Sequence, residues 1–367
     1  MRNQLRGILT AGAAVFLVMS CKNNESPEPA PKGEYAEGVI VINGGNFGQN
    51  NGTFSFLQRE GKTVVENIYN LANGQASLPP EDGRIEGYGE AGETGIILFD
   101  HSSTSGMDKA VFVNASTFEK KSELTAPAIE NPRDVAVINE KKAYVTNWDV
   151  LDPGFSDNGF ITVVNPESGT SIKKIDVGQG PENMVLYQKK IYVGRASFTS
   201  NQLTIVNTDT DEIVKSLGFD SSPGPVGVDA GGKLWVKEGH RLHRINTSTD
   251  VVEATLEAGN DAGKSIGAAT LTADGQNIIF VLSKYDESYN EVGSTYVFNT
   301  SSPSIQVDAP VLNRVFSALG ADPVSKSIYG GVTPSFTQAG YVLRVSPLGV
   351  LQDSVKVEIS PEGFFFK

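Results

Sequence analysis

Side chains that could carry out acid–base or metal chemistry are sparse in this sequence of 367 residues. It contains three histidines, His101, His240 and His243, and no two of them have the spacing of a metal-binding pair. His243 alternates with Leu242 in a run of strand composition, so we expect it to be a wall residue of a sheet. We predict no metal site and no cofactor, although metal ligands drawn from separate repeats would escape an argument based on spacing.

Carboxylates are clustered in one segment, WDVLDPGFSDN, which contains Asp149, Asp152 and Asp157. They could pair for acid–base catalysis or bind calcium, but the segment lacks the spacing of a calcium loop and we interpret it as a solvated loop. The one cysteine of the chain, Cys21, precedes the expected folded region and so offers no nucleophile there. We therefore predict no catalytic residues and a protein that is not an enzyme.

The N-terminal segment has the features of a lipoprotein leader. Two arginines precede the apolar run 8–19, which is shorter than the roughly 20 residues that a membrane span requires. The stretch LVMSC looks like a lipobox ending at Cys21, although this cysteine could instead be an ordinary thiol behind a soluble signal. We predict a signal peptide over residues 1–20, lipidation of Cys21 and a flexible tether over residues 21–36 that is rich in Pro, Glu and Asn. The predicted location is the outer membrane, with attachment by lipid alone and exposure at the cell surface.

The charge balance restricts the partners. The formal net charge is −13, and loss of a leader that carries two arginines makes it more negative. This balance argues against nucleic acid or an anionic lipid surface as a general partner. With one cysteine no disulfide can form within the chain, so the folded region must rest on its apolar core.

A short run of β-branched and aromatic residues recurs along the chain. Its seven copies are VIVIN (from Val39), IILFD (Ile96), AYVTN (Ala143), IYVGR (Ile191), LWVKE (Leu234), IIFVLS (Ile278) and IYGGV (Ile328). Each is followed by a second run that ends in a turn rich in Asn, Ser, Asp and Gly, which indicates a hairpin. In the middle of the chain a further strand precedes each copy, in NPRDVAVI, GPENMVLY and GPVGVDA.

Four strands at a period of 40–50 residues are typical of a β-propeller. We predict an all-β fold over residues 37–367, a seven-bladed β-propeller of four-stranded antiparallel blades. The C-terminal PEGFFF resembles the start of a blade, so we expect Phe364 to Phe366 to lie beside Val39 to Ile42. Pairing of the N- and C-terminal strands would then close the ring.

The stretch YVTN at Tyr144 to Asn147, with GPENMVLYQKKIYVG after it, resembles the YVTN, or YncE-like, β-propeller family along all of the chain beyond the tether. The stretches VINGGNFGQNNGTFSFL and PEGFFF further resemble the BtuG group of Bacteroidetes surface lipoproteins. This second resemblance implies a small-molecule ligand, with cobalamin or another corrinoid bound as a ligand and not used as a cofactor. It also implies a TonB-dependent outer-membrane transporter as partner, and a monomer apart from that transporter.

In a propeller, the connections after the second and fourth strands of each blade emerge on one face, where ligands usually bind. Aromatic side chains on such loops are costly unless they pack or bind, although each could instead cap the core between blades. The blade-to-blade loops add polar groups, including Arg133, Glu182, Arg314 and Glu362. We predict a wide, shallow site for a flat or extended ligand, formed by Asn46, Phe47, Trp148, Asn183, Arg195, Phe198, Tyr285 and Phe336.

Two functions from different classes fit these features. The first is a non-catalytic surface protein that captures a small molecule and passes it to a transporter. The second is a propeller hydrolase or lyase acting on a carbohydrate or lactone, and a glycan- or protein-binding propeller is a further alternative. Converging His, Glu or Asp side chains at the channel mouth would favour the enzyme, whereas aromatic and amide side chains would favour the binding protein.

Overall fold

The computed structural model describes residues 33–46, 48–74, 83–101, 106–149 and 159–367. The predicted signal peptide, Cys21 and most of the tether lie outside the described residues, as do Phe47, Asp152 and Asp157. Residues 33–367 form one compact unit, in which Tyr35 is buried and packs edge-on against the rings of Phe56 and Phe118. Within the described residues, no helix is long and apolar enough to cross a membrane.

The described chain forms seven antiparallel sheets. The first contains β1 (Val39–Asn43), β2 (Thr53–Leu57), β3 (Val64–Val65) and the C-terminal β27 (Pro361–Phe366), and the short helix α1 (Ile68–Ala72) follows β3. The second contains β4 (Arg84–Ala91), β5 (Thr94–Asp100), β6 (Lys109–Asn114) and β7 (Lys120–Thr125). The third contains β8 (Pro132–Asn139), β9 (Lys142–Asn147), β10 (Phe160–Asn165) and β11 (Thr170–Asp176).

The remaining four sheets continue this order along the chain. The fourth contains β12 (Pro181–Tyr187), β13 (Lys190–Arg195), β14 (Gln202–Asn207) and β15 (Glu212–Gly218). The fifth contains β16 (Gly224–Val228), β17 (Lys233–Glu238), β18 (Arg241–Asn246) and β19 (Val251–Glu257). The sixth contains β20 (Ser265–Leu271), β21 (Asn277–Tyr285) and β22 (Glu291–Asn299), and the seventh contains β23 (Ala318–Ala321), β24 (Ile328–Val332), β25 (Ala339–Val345) and β26 (Leu351–Ile359).

These sheets are the blades of a seven-bladed propeller, and the fold prediction is confirmed. The first strand of each blade packs against the first strand of the next, from β27 through β4, β8, β12, β16, β20 and β23 back to β27, so these strands surround a central channel. The sixth blade differs in its outermost position, where Leu312 forms a single bridge with Thr295 in place of a regular fourth strand.

Burial follows the position of a strand within its blade. Every residue of the second strand β5 is buried, because both of its faces pack against neighbouring blades. In the outermost strand β11 the first five residues are exposed, and only Ile175 is buried. The recurring apolar run of the sequence is therefore the second strand of each blade, which carries the most apolar surface into the core.

Asparagines form the hairpins at the end of the third strands. The side-chain oxygen of Asn165 accepts a hydrogen bond from the backbone N–H of Glu167 at 3.0 Å, and Asn207 does the same for Asp209 at 2.8 Å. Equivalent bonds are made by Asn114, Asn246 and Asn299. An Asx turn of this kind supplies part of the turn in the side chain itself, which explains why the sequence repeats asparagine there.

The two chain ends pair as predicted. β27 lies antiparallel to β1, with Val39 opposite Phe366 and Val41 opposite Phe364. The rings of Phe364 and Phe366 lie 5.8 and 5.2 Å from the ring of Tyr329 in the seventh blade. The last strand is therefore the innermost strand of the first blade and also forms its contact with the last blade.

Candidate functional site

A cavity of about 880 Å3 opens on the face reached by the connections after the second and fourth strands. We call it the loop-face cavity. It is lined by residues from the third to the sixth blades, among them four predicted site residues, Trp148, Asn183, Arg195 and Phe198. It lies within the 300–1,000 Å3 range typical of small-molecule sites.

Arg195 ends β13 and is only 5% exposed. Its guanidinium donates hydrogen bonds to the carbonyl oxygen of Val177 at 2.7 Å and to the Thr204 hydroxyl at 2.5 Å. Burial lowers the pKa of Arg195 to about 10. The side chain is therefore a rigid, positively charged part of the cavity wall and is held by neutral groups.

Phe198 lies in the connection between β13 and β14, and its side chain is 99% exposed. Its φ is 64°, in the left-handed region that a bulky residue rarely adopts. A large apolar ring in full contact with water and a costly backbone conformation are both unfavourable for an isolated domain. Both features occur together in a residue that lines the cavity.

Trp148 follows β9 and lines the cavity. The guanidinium carbon of Arg133 lies 4.3 Å from the centre of its ring, a cation–π contact. Arg133 starts the third blade on β8 and thereby fixes the orientation of the indole. A flat aromatic surface held in this way can stack against a flat ligand.

Opposite charges alternate around the mouth of the channel. Arg133 lies 3.3 Å from Glu86 and 3.4 Å from Glu182, and Arg84 lies 2.7 Å from Glu86 and also pairs with Glu362. Burial raises the pKa of Glu182, although the charge of Arg133 opposes the shift. The inner strands of the first four blades are thus connected by ion pairs next to the cavity.

A second polar group lies on the opposite wall, at the end of β17. Glu238 is buried, and its carboxylate accepts hydrogen bonds from the backbone N–H of Ser221 at 2.6 Å and from its hydroxyl at 3.1 Å. The other carboxylate oxygen lies 2.8 Å from Nε2 of His243, and the remaining ring nitrogen of His243 lies 3.0 Å from the Thr255 hydroxyl. His243 is a buried residue of β18, and Glu238 rather than His243 faces the cavity.

The other predicted site residues lie outside the lining of this cavity. Tyr285 at the end of β21 and Phe336 after β24 are exposed, by 69% and 63%. Asn46 follows β1, where its backbone N–H donates to the side-chain oxygen of Asn51 at 2.7 Å. The structure therefore brings half of the predicted set together and leaves these three on other parts of the loop face.

Sequence reasoning missed the part of the cavity formed by Ser221, Lys237 and Glu238. The segment LWVKE contains two charged residues at the end of an otherwise apolar strand, and that was the available signal. Charged side chains at the end of a buried strand have to reach solvent, a partner or a site, because leaving them buried and unpaired is costly. Among the described residues, no group of three or more His, Cys, Asp or Glu side chains is arranged to hold a metal ion.

Asp134, on β8, connects two blades. Its carboxylate accepts hydrogen bonds from the backbone N–H groups of Val135 at 2.8 Å and of Met184 in the fourth blade at 2.6 Å. Burial nevertheless raises the pKa of Asp134 to about 7. The folded protein therefore binds a proton at this carboxyl more tightly than the unfolded chain does.

This shift predicts a pH dependence of stability. Because the folded-state pKa is the higher one, the stabilisation is complete below pH 4 or so and is lost as the pH rises towards 7. We expect Asp134→Asn to flatten the dependence of the unfolding free energy on pH between 5 and 7, by up to about 1.4 kcal/mol per pH unit. Urea unfolding at several pH values measures this slope, and a slope equal to that of the wild type would contradict the assignment. Asp100, whose pKa is also raised to about 7, mainly by burial, accounts for part of the slope that remains.

Most of the propeller matches a known family. The family described as "Domain of unknown function (DUF5074)" matches residues 37–344. No curated protein matches the chain.

Solved structures resemble the chain in fold. A quinonprotein alcohol dehydrogenase-like protein from Bacteroides thetaiotaomicron is 13% identical, with a TM-score of 0.62 over 90% of this chain and 78% of that one. A provisionally assigned 6-phosphogluconolactonase from Bacteroides uniformis is 14% identical, with a TM-score of 0.59 over 90% of this chain and 100% of that one. Hydrazine synthase from Kuenenia stuttgartiensis is 17% identical, with a TM-score of 0.56 over 76% of this chain and 88% of that one. At these identities the likeness concerns the fold alone.

Proposed function

The chain belongs to the DUF5074 family of β-propeller domains, and from this premise we propose that it binds a small molecule in the loop-face cavity without catalysing a reaction. One observation carries the proposal. Trp148, Asn183, Arg195 and Phe198, which come from two blades, line one cavity together with side chains of two further blades. A concave site with a few fixed polar groups and aromatic surfaces is the usual form of a small-molecule site.

The state of the carboxylates that line the cavity favours binding over catalysis. Glu182 pairs with Arg133, and Glu238 accepts hydrogen bonds from Ser221 and lies against His243. Asp220 lies 2.6 Å from Arg241. Carboxylates that are held by protein donors maintain the shape and charge of a site, whereas a general acid or base needs an oxygen directed at the reacting group.

The aromatic surfaces indicate the shape of the ligand. Trp148 is held by Arg133 on one side of the cavity and Phe198 projects from the rim, so a flat ring system or an extended chain would contact both. The resemblance to YVTN propellers and to the BtuG group makes a corrinoid the first ligand to test and a glycan the second. Within the same proposal, lipidated Cys21 holds the monomeric protein at the outer cell surface and a TonB-dependent transporter receives the ligand.

Loss of the two aromatic surfaces is expected to weaken binding without unfolding the domain. In the variant Trp148→Ala/Phe198→Ala, each lost contact should cost about 0.5–1.5 kcal/mol beyond its buried area. Calorimetric titration with cobalamin, a glycan panel and buffer alone measures the effect, and the melting temperature checks the fold. Neither ring is part of a strand, so we expect little change in that temperature.

The matched control is Tyr285→Ala/Phe336→Ala, which removes two exposed aromatic rings of the same face outside the cavity lining. We expect this control to bind like the wild type. Equal losses of affinity in both double variants would show that the ligand does not bind in the cavity. If the wild type binds no cobalamin but binds a glycan, the corrinoid is excluded and the cavity remains the site.

One observation favours the alternative of a hydrolase or lyase. The hydroxyl of Ser221 donates to the carboxylate of Glu238 at 3.1 Å at the cavity wall, and a carboxylate in this position could accept the proton of a hydroxyl nucleophile. Turnover of a lactone or carbohydrate that is lost in Ser221→Ala would replace the binding proposal by this enzyme.

A further inference from the structure

Arg195 differs from the other buried or half-buried arginines of the described chain. Those arginines lie within 4 Å of a carboxylate, as Arg344 does with Asp353 and Arg59 with Asp322. For Arg195, no carboxylate of the described residues lies within that distance, and its hydrogen bonds go to two carbonyl oxygens and a hydroxyl. Its Nε is buried and has no acceptor among the described atoms.

Lys237 is a second cation that lines the cavity and, like Arg195, has no ion-pair partner among the described residues. Its ammonium donates to the carbonyl oxygen of Gly267 at 2.5 Å, and no carboxylate of the described chain forms an ion pair with it. Burial lowers the pKa of Lys237, an effect that the charge of Glu182 opposes. The protein thus holds a second positive charge at a cost that no ion pair offsets.

The segment Pro223–Gly224 connects the two cations. The backbone N–H of Arg195 donates to the carbonyl oxygen of Pro223 at 2.9 Å. The side chain of Lys237 lies against Gly224, where an added Cβ would be 3.0 Å from Cε of the lysine. Both side chains line the loop-face cavity, and both residues contact this short segment.

The three carboxylates that line the cavity form ion pairs with cations other than Arg195 and Lys237. Glu182 is paired with Arg133, and both Glu238 and Asp220 lie within ion-pair distance of Arg241. Each acidic side chain that lines the cavity therefore lies within ion-pair distance of another cation, and Glu238 and Asp220 share theirs. The two cations without such partners are Arg195 and Lys237.

We propose that Arg195 and Lys237 form an anion subsite in the loop-face cavity, which takes a carboxylate or phosphate group of the ligand. This inference rests on the proposed binding function and specifies the chemistry of its ligand. Nη1 of the guanidinium makes one hydrogen bond, at 3.5 Å to the carbonyl oxygen of Gly194, and retains a further N–H that can donate. The ammonium of Lys237 has donors beyond the one that Gly267 accepts. Trp148 and Phe198 then contact the remaining, flat or extended part of the same molecule.

The test compares three small aromatic probes on the full chain: benzoate, phenyl phosphate and uncharged benzamide. We expect at least one of the two anions to bind about tenfold more tightly than benzamide, because a hydrogen bond to a charged partner contributes more than one to a neutral partner. Comparison of benzoate with phenyl phosphate tells which group the subsite prefers. Calorimetry or ligand-observed NMR gives the dissociation constants.

Lys237→Met is the main variant, since it keeps the length of the side chain beside Gly224 and removes the charge. It should reduce the affinity for the preferred anion about tenfold and leave the affinity for benzamide unchanged. The control is Lys189→Met, which removes an exposed lysine that pairs with Asp209 and lies outside the cavity. Arg195→Met serves as a second variant if its melting temperature shows that the hydrogen bonds to Val177 and Thr204 are dispensable for folding.

The outcomes separate this inference from the function on which it rests. One outcome would overturn the anion subsite and retain the cavity as a binding site. In that outcome the three probes bind with equal affinity, and all three bind more weakly to Trp148→Ala/Phe198→Ala. Anion binding that survives Lys237→Met would also overturn it. Binding of none of the probes would count against both proposals.

Discussion

Deletion of residues 361–367 is expected to lower the melting temperature by about 10 °C or more. The deleted strand β27 supplies the innermost strand of the first blade. Phe364 and Phe366 pack against Tyr329 of the seventh blade, and Phe365 packs edge-on against Tyr88 of the second. A fully buried aromatic side chain contributes about 1.5–3 kcal/mol, so even three half-buried ones make a large fraction of a typical folding free energy.

The deletion also opens the ring. It leaves the hydrogen-bonding edge of β1 without a partner strand, and an open edge invites association with other chains. We therefore expect aggregation on heating in addition to the lower melting temperature, measured by calorimetry and light scattering. Lys367→Met is the matched control, because it leaves the backbone of β27 and its pairing with β1 in place and removes only the contacts of the ammonium with Glu90 and Ala115, so it should have a smaller effect. An unchanged melting temperature in the deletion variant would show that closure by β27 does not stabilise the propeller.

Cys21→Ala is expected to move the protein from the membrane fraction almost entirely to the soluble exported fraction. The reason lies in the predicted lipid anchor, since each buried CH2 of an acyl chain contributes about 0.8 kcal/mol and several chains hold a protein firmly. Within the described residues no helix could replace this anchor. Cell fractionation and incorporation of labelled palmitate measure the two consequences of the substitution.

Lys22→Ala is the matched control for the anchor, because it changes the neighbouring residue and keeps the cysteine. It should be retained in the membrane fraction and labelled by palmitate like the wild type. Retention of Cys21→Ala in the membrane fraction would falsify lipidation as the means of attachment.

Much of the architecture could be predicted from the sequence because a propeller repeats one pattern of strands and turns in its blades. Each second strand has to be apolar on both faces, and the third strands of the second to sixth blades end in an asparagine that forms the turn. Seven copies of the apolar run correspond to seven blades, and a C-terminal strand left over corresponds to closure with β1. The sixth blade was the exception, because the pattern of the chain gives no sign that Leu312 forms only a single bridge there.

The candidate site could be predicted only in part. Loop positions indicated which residues share a face, and Trp148, Asn183, Arg195 and Phe198 do line one cavity. The same reasoning included Tyr285, which lies outside the lining. The seven blades are arranged in a ring, so loops on the same face can lie far apart. Two residues on that face therefore need not contact the same ligand.

The sequence by itself thus determined the strand pattern, the number of blades and the closure of the ring, since these depend on apolar periodicity and turn chemistry within short stretches of chain. Only the tertiary structure decided that Lys237 and Arg195, which are separated by 42 positions in the chain, line one cavity without an ion pair. The physical reason is that a strand sequence reveals which side chains are charged, whereas the partner of each charge is set by the packing of one blade against the next. Carboxylates from neighbouring blades reach Arg133 and Arg84 in this way, and none of those in the described chain reaches Arg195.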